Sequence, residues 1–328
     1  RTFGMAASHR HGTLFAAAGW NGAFLASAER RPRDVGRWLR LLSAPLAVSR
    51  PAGALVGRNF YLIGGEESGG VRNGPTQRYD LDTGLWDNTL PAMPDPASNF
   101  CAAAIGTTIY APGGFSGTAG FATLRAFDTQ AGTWSVVASD PLPAAVYTHG
   151  CAVLDGRLYV AGGSGTGAPG SAVWRYDPAA AAGARWSAMP SLQNPASYPG
   201  IVADGDYLYV ATGTPTDATT VERFDPVANA WTTLPALNTG RGGAALLISA
   251  NTLIAVGGGW GSYQASYEVL DRNHPSTGWS TVVGGLNVGR RTFGAGGDGS
   301  TLIVAGGWAG AFLADAELYF DDTIYAND

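Results

Sequence analysis

The sequence predicts an all-β fold, a seven-bladed β-propeller with four antiparallel strands in each blade. Three features predict this fold, and they recur in the same order along the 328 residues. An apolar run ends in a glycine doublet, an aromatic residue followed by aspartate comes next, and a tryptophan closes the unit. Because one unit cannot bury its own faces, the units are expected to stack into a closed ring with a shared core.

The glycine doublet marks the end of the second strand in each unit. Five clear doublets end at Gly65, Gly114, Gly163, Gly258 and Gly307, and two degenerate copies end at Gly19 and Gly213. Neighbouring members of this series lie 45 to 50 residues apart, close to the period of about 50 that is known for one class of propeller repeat. The run before each doublet, for example 157–161, is almost wholly apolar, as expected for a strand buried on both faces.

The aromatic–aspartate pair and the tryptophan predict the third and fourth strands. The pairs are Tyr79-Asp80, Phe127-Asp128, Tyr176-Asp177, Phe224-Asp225 and, with leucine as the first member, Leu270-Asp271. The tryptophans are Trp38, Trp86, Trp134, Trp186, Trp231 and Trp279. Aspartate followed by a turn-forming residue closes the third strand, and the tryptophan packs the outer strand against the next blade.

The seventh unit departs from the pattern, because Ile324 and Tyr325 stand where a tryptophan is due. We expect a short fourth strand around 323–325 and the least stable blade there; a six-bladed ring, or an N-terminal strand that completes the last blade, is the alternative. Residues 19–29 and 307–317 are close relatives, which a recent duplication explains. The single predicted domain, 1–328, divides into blades at approximately 1–42, 43–91, 92–141, 142–190, 191–235, 236–284 and 285–328.

The composition argues against nucleic-acid binding and against a membrane-spanning segment. Hydrophobic residues make up 45% of the chain and charged residues 14%, and no stretch approaches the roughly 20 apolar residues that span a bilayer. The net charge is −5, with arginine as the sole basic residue besides histidine. Since nucleic-acid binding needs a basic surface, we predict no nucleic-acid partner and no transmembrane segment.

The two cysteines, Cys101 and Cys151, fall at corresponding positions of adjacent repeats. A disulfide requires a Cα–Cα distance of roughly 4.4–6.8 Å, and equivalent residues of neighbouring blades are expected to lie farther apart. We therefore predict two buried thiols that act as small hydrophobic residues.

The order of doublet, aromatic–aspartate pair and tryptophan resembles the kelch-repeat family from Arg1 to the C-terminus, including the central domain of galactose oxidase and bacterial extracellular kelch proteins. A WD40 propeller would need recurrent Trp-Asp dipeptides, and Trp86-Asp87 stands alone. In such a propeller the variable loops between second and third strands carry recognition. These loops are 66–77, 115–123, 164–172 and 259–265, and we call the side of the ring that carries them the loop face.

One residue at the entry to the first strand of each unit is a candidate for ligand binding. The series is Arg1, Arg50, Asn99, His149, Tyr198, Arg241 and Arg291. These side chains are expected to encircle one mouth of the central channel, where arginine would bind a carboxylate, a sugar acid or an acidic peptide side chain. The structural interpretation is that the arginines hydrogen-bond carbonyl groups of neighbouring loops.

Aromatic residues at the same face form a second candidate site. Trp20, Trp260 and Trp308 each follow a glycine at the start of a loop, with Tyr263 and Phe115 nearby. They can stack on sugar rings or anchor a protein partner, or fold back as a local core. Because their units adjoin in a closed ring, we expect Trp20, Trp260 and Trp308 to cluster on one sector.

The resemblance to galactose oxidase would imply a copper site of two histidines, two tyrosines and a cysteine. The four histidines are His9, His11, His149 and His274, and they do not supply such a set, nor does the sequence contain a nucleophile elbow or a phosphate-binding loop. We therefore predict no metal and no other cofactor.

The sequence favours a non-catalytic binding or structural module, extracellular or at the cell surface, that binds a protein partner or a glycan through the loop face. The alternative is a carbohydrate-active enzyme, either a sugar-acid mutarotase or isomerase or a glycosidase, acting at the arginine-ringed mouth. His149 and the arginines are the best acid–base groups that this alternative has.

Overall fold

The structure is a computed structural model that describes residues 6–10, 13–20, 24–30, 37–165, 170–211, 213 and 217–320. The described residues from 37 onward form a ring of six four-stranded antiparallel blades around a central channel. The prediction of four strands per blade is confirmed, and the prediction of seven blades is wrong. Nowhere in the described ranges is there a helix long and apolar enough to cross a bilayer.

The first four strands divide between two sheets. β1 (Ala6–Arg10), β2 (Thr13–Trp20) and β3 (Phe24–Arg30) pair as a three-stranded antiparallel sheet. β4 (Arg37–Arg40) joins the last blade of the ring instead.

Five blades follow one another along the chain, with their strands in sequence order from the channel outward. The first two contain β5 (Ala52–Val56), β6 (Asn59–Ile63), β7 (Thr76–Asp80) and β8 (Leu85–Asp87), then β9 (Ala103–Ile105), β10 (Thr108–Pro112), β11 (Leu124–Asp128) and β12 (Thr133–Val136). The third and fourth contain β13 (Gly150–Leu154), β14 (Arg157–Ala161), β15 (Val173–Tyr176) and β16 (Trp186–Met189), then β17 (Gly200–Ala203), β18 (Leu208–Ala211), β19 (Val221–Asp225) and β20 (Ala230–Thr233). The fifth contains β21 (Ala245–Ser249), β22 (Thr252–Val256), β23 (Ser266–Asp271) and β24 (Ser280–Gly285), and two short 3-10 helices lie in connections, Ser68–Gly70 and Pro275–Thr277.

The sixth blade combines strands from both ends of the ring. β25 (Gly294–Gly297), β26 (Leu302–Ala305) and β27 (Ala316–Phe320) supply three strands, and β4 supplies the outermost. In this register Trp38 lies opposite Tyr319. Trp38 therefore provides the tryptophan that the seventh sequence unit lacks, while residues 323–325 lie outside the described residues.

β4 closes the six-bladed ring by giving β27 an outer neighbour. Without one, its edge would expose unpaired backbone groups, and pairing with β4 removes that edge. Phe60 and Leu62 of the first blade pack with Ile303 and Ala305 of the sixth and seal the same junction. The duplicated N-terminal unit, which forms β1 to β3, supplies no strand to the six blades.

Glycine doublets allow each second strand to turn away from the crowded centre. Gly64 and Gly65 have φ angles of 60° and 95°, a region that side chains disfavour. A Cβ on Gly64 would also lie 2.8 Å from the carbonyl oxygen of Ala97, in the connection to the next blade. The doublet is thus required both by backbone conformation and by close packing between blades.

Buried glutamates fasten the connections between blades on the loop face. Glu222 accepts hydrogen bonds from the N–H groups of Gln193 and Asn194, both at 2.8 Å. Glu268 and Glu317 accept equivalent bonds from the connections that precede their own blades. Because backbone N–H groups are strong donors that must be satisfied when buried, these carboxylates hold the loop face in a fixed shape.

Candidate functional site

The channel mouth on the loop face is built from one residue of each blade, and each of these residues has a positive φ. The six, which we call the mouth ring, are Arg50, Asn99, Thr148, Tyr198, Gly243 and Thr292. Backbone hydrogen bonds of 2.6–3.0 Å join neighbouring members, since the N–H groups of Asn99, Thr148, Tyr198, Thr292 and Arg50 each donate to the carbonyl of the preceding blade's member. Backbone hydrogen bonds therefore join five of the six junctions around the mouth.

The predicted series overlaps this ring only in part. Three of the seven predicted residues are members of it: Arg50, Asn99 and Tyr198. Arg1 lies outside the described residues, and the other three were aligned one or two positions away from the members that the structure shows, namely Thr148, Gly243 and Thr292. The predicted series was aligned on the entry to the first strand of each unit, whereas the ring positions are defined by backbone conformation.

His149 does not face the mouth, contrary to the prediction. Its side chain is buried beneath Gly113 and Gly163, and its Nε2 lies 3.1 Å from the carbonyl oxygen of Pro112. Burial lowers the pKa of His149 to about 4, so the imidazole is neutral at physiological pH. His149 occupies the position that Phe100 and Phe293 occupy at two other contacts between neighbouring blades. Each of these side chains packs against the glycine doublets of the two blades that meet there.

The Arg241 side chain also does not lie at the mouth. It hydrogen-bonds carbonyl groups of its own blade, as the structural interpretation of the arginine series expected. The side chain is fully buried, with Nε 3.0 Å from Glu268 and Nη1 2.9 Å from the carbonyl oxygens of Gly257 and Ser266. Arg290 repeats this arrangement in the sixth blade with Glu317. Burial lowers the pKa of Arg241, and the carboxylate of Glu268 opposes that shift.

Tyr198 lies across the opening of the channel. Its hydroxyl donates to Oδ1 of Asn99, two blades away around the ring, and its ring meets Trp260 edge-on with centroids 5.4 Å apart. Burial raises the pKa of Tyr198, so the phenol remains a hydrogen-bond donor at neutral pH. The side chain covers the mouth and ties the fourth blade to the second.

Arg50 and Arg72 share one carboxylate at the mouth. Glu66 lies 3.1 Å from Nη1 of Arg50 and 2.7 Å from Nη2 of Arg72. Nε of Arg72 also donates to Ser98 at 2.9 Å. One carboxylate thus pairs with two guanidinium groups at this side of the mouth.

Arg291 lies on an aromatic platform beside them. Its guanidinium is 4.0 Å from the ring centroid of Trp260 and 5.3 Å from that of Tyr263, and Nη1 donates to the carbonyl of Trp260 at 3.0 Å. Burial lowers the pKa of Arg291, and the positive charge of Arg50 acts in the same direction, whereas Tyr263 and the carboxylate of Asp217 oppose that shift. The positive charges of Arg50 and Arg291 thus act on each other at the mouth.

Three of the five aromatic residues singled out in the sequence, Trp260, Tyr263 and Trp308, lie together on one sector. Nε1 of Trp308 donates to the hydroxyl of Tyr263 at 3.0 Å, and Trp308 packs edge-on against Phe312. The platform thus runs from Trp260 at the mouth to Trp308 near the rim. Phe115 lies apart from it, between Tyr147 and the guanidinium of Arg72, and the side chain of Trp20, in β2, lies outside the described residues.

A channel of about 330 Å³ continues below the mouth, lined by the innermost strands. Cys101 and Cys151 both line it and form a disulfide, with Cα atoms 5.7 Å apart. The prediction of two free thiols is wrong, because the innermost strands converge toward the axis. Cys101 is also offset by one position from Cys151, relative to Asn99 and Thr148 of the mouth ring.

Comparison with known proteins agrees with this architecture. A family model described as the KLHDC2/KLHL20/DRC7 Kelch-repeats domain matches residues 51–259. The chain belongs to the kelch-repeat family. Kelch-like protein 35 of Mus musculus is 31% identical over 195 residues, which are 58% of this chain and 32% of that protein. Kelch-like protein terF of Aspergillus terreus is 30% identical over 264 residues, which are 71% of this chain and 55% of that protein.

This kelch propeller thus spans between about a third and about half of the length of these two relatives. The solved structure of YjhT superimposes with a TM-score of 0.71 at 18% identity, over 85% of this chain and 96% of that one. At that identity the likeness concerns the fold alone.

Sequence reasoning missed several residues of the kelch mouth. Thr148 and Thr292 carry no signal in the sequence, and Gly243 could have been found only as a glycine two residues before a strand. Arg72 and Glu66 lie in a variable loop, where the sequence does not fix their positions. In the described ranges, no group of three or more histidine, cysteine, aspartate or glutamate side chains gathers as metal ligands do.

Proposed function

We propose that this kelch propeller is a non-catalytic binding module that recognises a partner protein through its loop face. An acidic side chain of the partner would enter the mouth between Arg50 and Arg291. The observation that carries the proposal is the state of Arg291, which is partly buried at the mouth and, among the described side chains, has no carboxylate within salt-bridge distance.

A carboxylate between the two arginines would relieve their mutual repulsion. Guanidinium groups bind carboxylates through two parallel hydrogen bonds. The flat faces of the Arg291 guanidinium pack against the rings of Trp260 and Tyr263. Its N–H edges remain for a ligand, apart from the bond to the Trp260 carbonyl. The aromatic platform holds the guanidinium in place, so little side-chain freedom would be lost on binding.

The platform itself offers apolar contact area beside the charge. Tyr263 is 40% exposed, and Trp260 and Trp308 are half-buried around it. Tryptophan, tyrosine and arginine are the residues that most often dominate the energy of protein interfaces. Membership of the kelch family, whose relatives here are Kelch-like proteins, supports a protein as the partner.

We favour binding over catalysis because the acid–base groups of the alternative are not available at the mouth. The His149 side chain is buried with its Nε2 at the carbonyl oxygen of Pro112, and Glu66 is engaged by two arginines. We also propose an extracellular or cell-surface location. The Cys101–Cys151 disulfide supports it, since disulfides persist in oxidising compartments.

The test is binding of a capped hexaglutamate peptide, compared with its capped hexaglutamine counterpart. We expect the acidic peptide to bind and the Arg291→Gln variant to weaken this binding by roughly tenfold or more. Arg58→Gln is the matched control, because Arg58 is an exposed arginine at the turn between β5 and β6, on the opposite face. Equal binding of the two peptides, or equal loss in both variants, would overturn the proposal.

An oligosaccharide of uronic acids serves as a further arm of the same experiment. If it bound through Arg291 while the peptide did not, the ligand would be an acidic glycan and the proposed protein partner would be wrong.

A further inference from the structure

The second blade has an innermost strand that begins late. In the other blades this strand begins two residues after the member of the mouth ring, for example at Ala52 after Arg50 and at Gly150 after Thr148. In the second blade β9 begins only at Ala103, four residues after Asn99. Within the segment 100–102, residues 101 and 102 therefore lack the sheet pairing that their equivalents have.

Pro112, at the end of β10, accounts for the short strand. Successive N–H groups point to opposite sides of a strand, and the N–H of Gly113 donates toward β11, to Thr123 at 2.9 Å. The N–H of residue 112 would therefore face Cys101, and proline has none. At the equivalent place in the third blade Ala161 pairs with Gly150.

The disulfide connects this unpaired segment to the next blade. Cys101 lies within the segment and Cys151 lies in β13, where it is paired with Val160. The carbonyl of Pro112, which also faces the segment, is instead bonded to the side chain of His149. Cys101 is thus held by a covalent bond to the third blade where other blades use a backbone hydrogen bond.

Asn99, two residues before Cys101, connects this segment to the mouth. Its N–H donates to the carbonyl of Arg50 at 3.0 Å, and its carbonyl accepts from Thr148 at 2.7 Å. Its side-chain oxygen accepts a hydrogen bond from the hydroxyl of Tyr198, the residue whose side chain covers the channel. The acceptor of the Tyr198 hydroxyl thus lies next to a segment that packs in the core through Phe100 and Ala102 and that the disulfide ties covalently to the third blade.

We propose that the Cys101–Cys151 disulfide is a redox-sensitive clasp, opened by a small dithiol, that holds Asn99 and Tyr198 in place at the channel mouth. A thiolate of the dithiol attacks Sγ of Cys101, the partly exposed member, and the Cys151 thiolate leaves. The second thiol of the reagent then attacks the mixed disulfide and releases the Cys101 thiolate. Both cysteine thiolates take up protons, so the protein gains two electrons and two protons and the reagent becomes a disulfide.

Opening the clasp removes the covalent tie on Cys101 and so loosens the segment beside Asn99, the acceptor of the Tyr198 hydroxyl. The inference that this change alters binding rests on the proposed function, because Tyr198 lies between Arg50 and Trp260 at the same mouth. Loss of a preorganised site weakens binding, since the ligand must then order the side chains itself.

The test measures amide hydrogen exchange in 99–105 before and after reduction with dithiothreitol. We expect exchange in this segment to rise by about tenfold or more while that of β17 and β21 stays unchanged, which is the behaviour of a local opening. The variant Cys101→Ser/Cys151→Ser should behave as the reduced protein without reagent. No change in 99–105, or equal loss of protection around the whole ring, would overturn the proposal.

A rescue variant makes the test specific for the missing backbone donor. Pro112→Ala restores an N–H that faces residue 101, so in the Cys101→Ser/Cys151→Ser background it should return exchange in 99–105 toward the oxidised level. Failure of this rescue would contradict the role assigned to Pro112.

Binding of the hexaglutamate peptide is then compared between oxidised and reduced protein, with an expected loss of about tenfold. If the oxidised protein binds no peptide, the proposed function fails while the exchange experiment still decides the clasp. If exchange in 99–105 rises on reduction and peptide binding is unchanged, the disulfide holds the segment but does not affect the ligand site, and the inference about binding is wrong.

Discussion

Trp38 and Tyr319 face each other across the closure of the ring, with ring centroids 5.3 Å apart. They lie at opposite ends of the propeller sequence and in register within one blade. Trp38 is 5% exposed, and it packs in the cluster that also contains Leu302 and Val304. This contact joins the two ends of the propeller.

Trp38→Ala should therefore weaken the whole ring. Removal of a large buried aromatic side chain costs about 3–5 kcal/mol, and here the loss falls on the strand that closes the circle. The measurement is the free energy of unfolding in urea. Leu39→Ala is the matched control on the same strand, because Leu39 is 36% exposed, and its expected cost is about 1 kcal/mol or less. Similar losses in both variants would show that β4 contributes little to closure.

Deletion of residues 1–36 should leave the propeller folded. β1, β2 and β3 pair only with one another and supply no strand to the six blades, while β4 begins at Arg37. We expect the urea midpoint of the shortened protein to match that of the full chain. A protein that cannot be purified folded, or one with a clearly lower midpoint, would mean that the N-terminal unit takes part in the ring.

The sequence predicts the four strands of each blade correctly and the number of blades wrongly. The assignment of Trp38 explains the error. Residues 19–29 and 307–317 are nearly the same sequence, so the third strand before Trp38 and the third strand at the end of the chain offer it similar partners. Local pattern assigns Trp38 to the nearer unit, whereas closure of the ring assigns it to β27. No local signal distinguishes the two.

The candidate site was predictable to a smaller extent. Repeat positions led us to expect Trp20, Trp260 and Trp308 on one sector; Trp260 and Trp308 lie there with Tyr263 between them, and the side chain of Trp20 lies outside the described residues. The mouth ring did not follow from repeat positions, because positive φ at Tyr198 or Thr292 is imposed by the ring of backbone hydrogen bonds and leaves no mark on the residue type. The disulfide depends on how closely the innermost strands approach the axis, a distance that repeat spacing does not encode.

His149 should make stability depend on pH between about 6.5 and 4. The native pKa is about 4 and the ordinary value is 6.5, so the unfolded chain binds the proton more readily. The stabilisation is complete above pH 6.5 and is lost as pH falls toward 4, by about 3 kcal/mol in all. Urea unfolding across this range measures it.

His149→Phe is the matched variant for the pH experiment, because phenylalanine occupies the equivalent positions at Phe100 and Phe293. It should remove the pH dependence in this window and leave the fold intact. A variant with the same dependence as the parent would show that other groups cause it.

The buried pair of Arg290 and Glu317 should be much more sensitive to charge removal than a surface pair. Glu317→Gln leaves a fully buried guanidinium without its carboxylate, and loss of one partner of such a pair costs about 3–5 kcal/mol. Asp82→Asn, which breaks the exposed pair with Arg58, should cost about 1 kcal/mol or less. Equal unfolding free energies for the two variants would contradict the assignment of Arg290 as a structural residue.

The pairing of β4 with β27 also determines how the protein responds to mechanical force. In their register Arg37 lies opposite Phe320 and Arg40 opposite Glu317, so the N-terminal end of β4 and the C-terminal end of β27 lie together at one end of the pair. A pull applied between residues 37 and 320 would break the hydrogen bonds one after another rather than all at once. The ring would therefore open at this seam under small loads, while the five blades formed by consecutive strands stay intact.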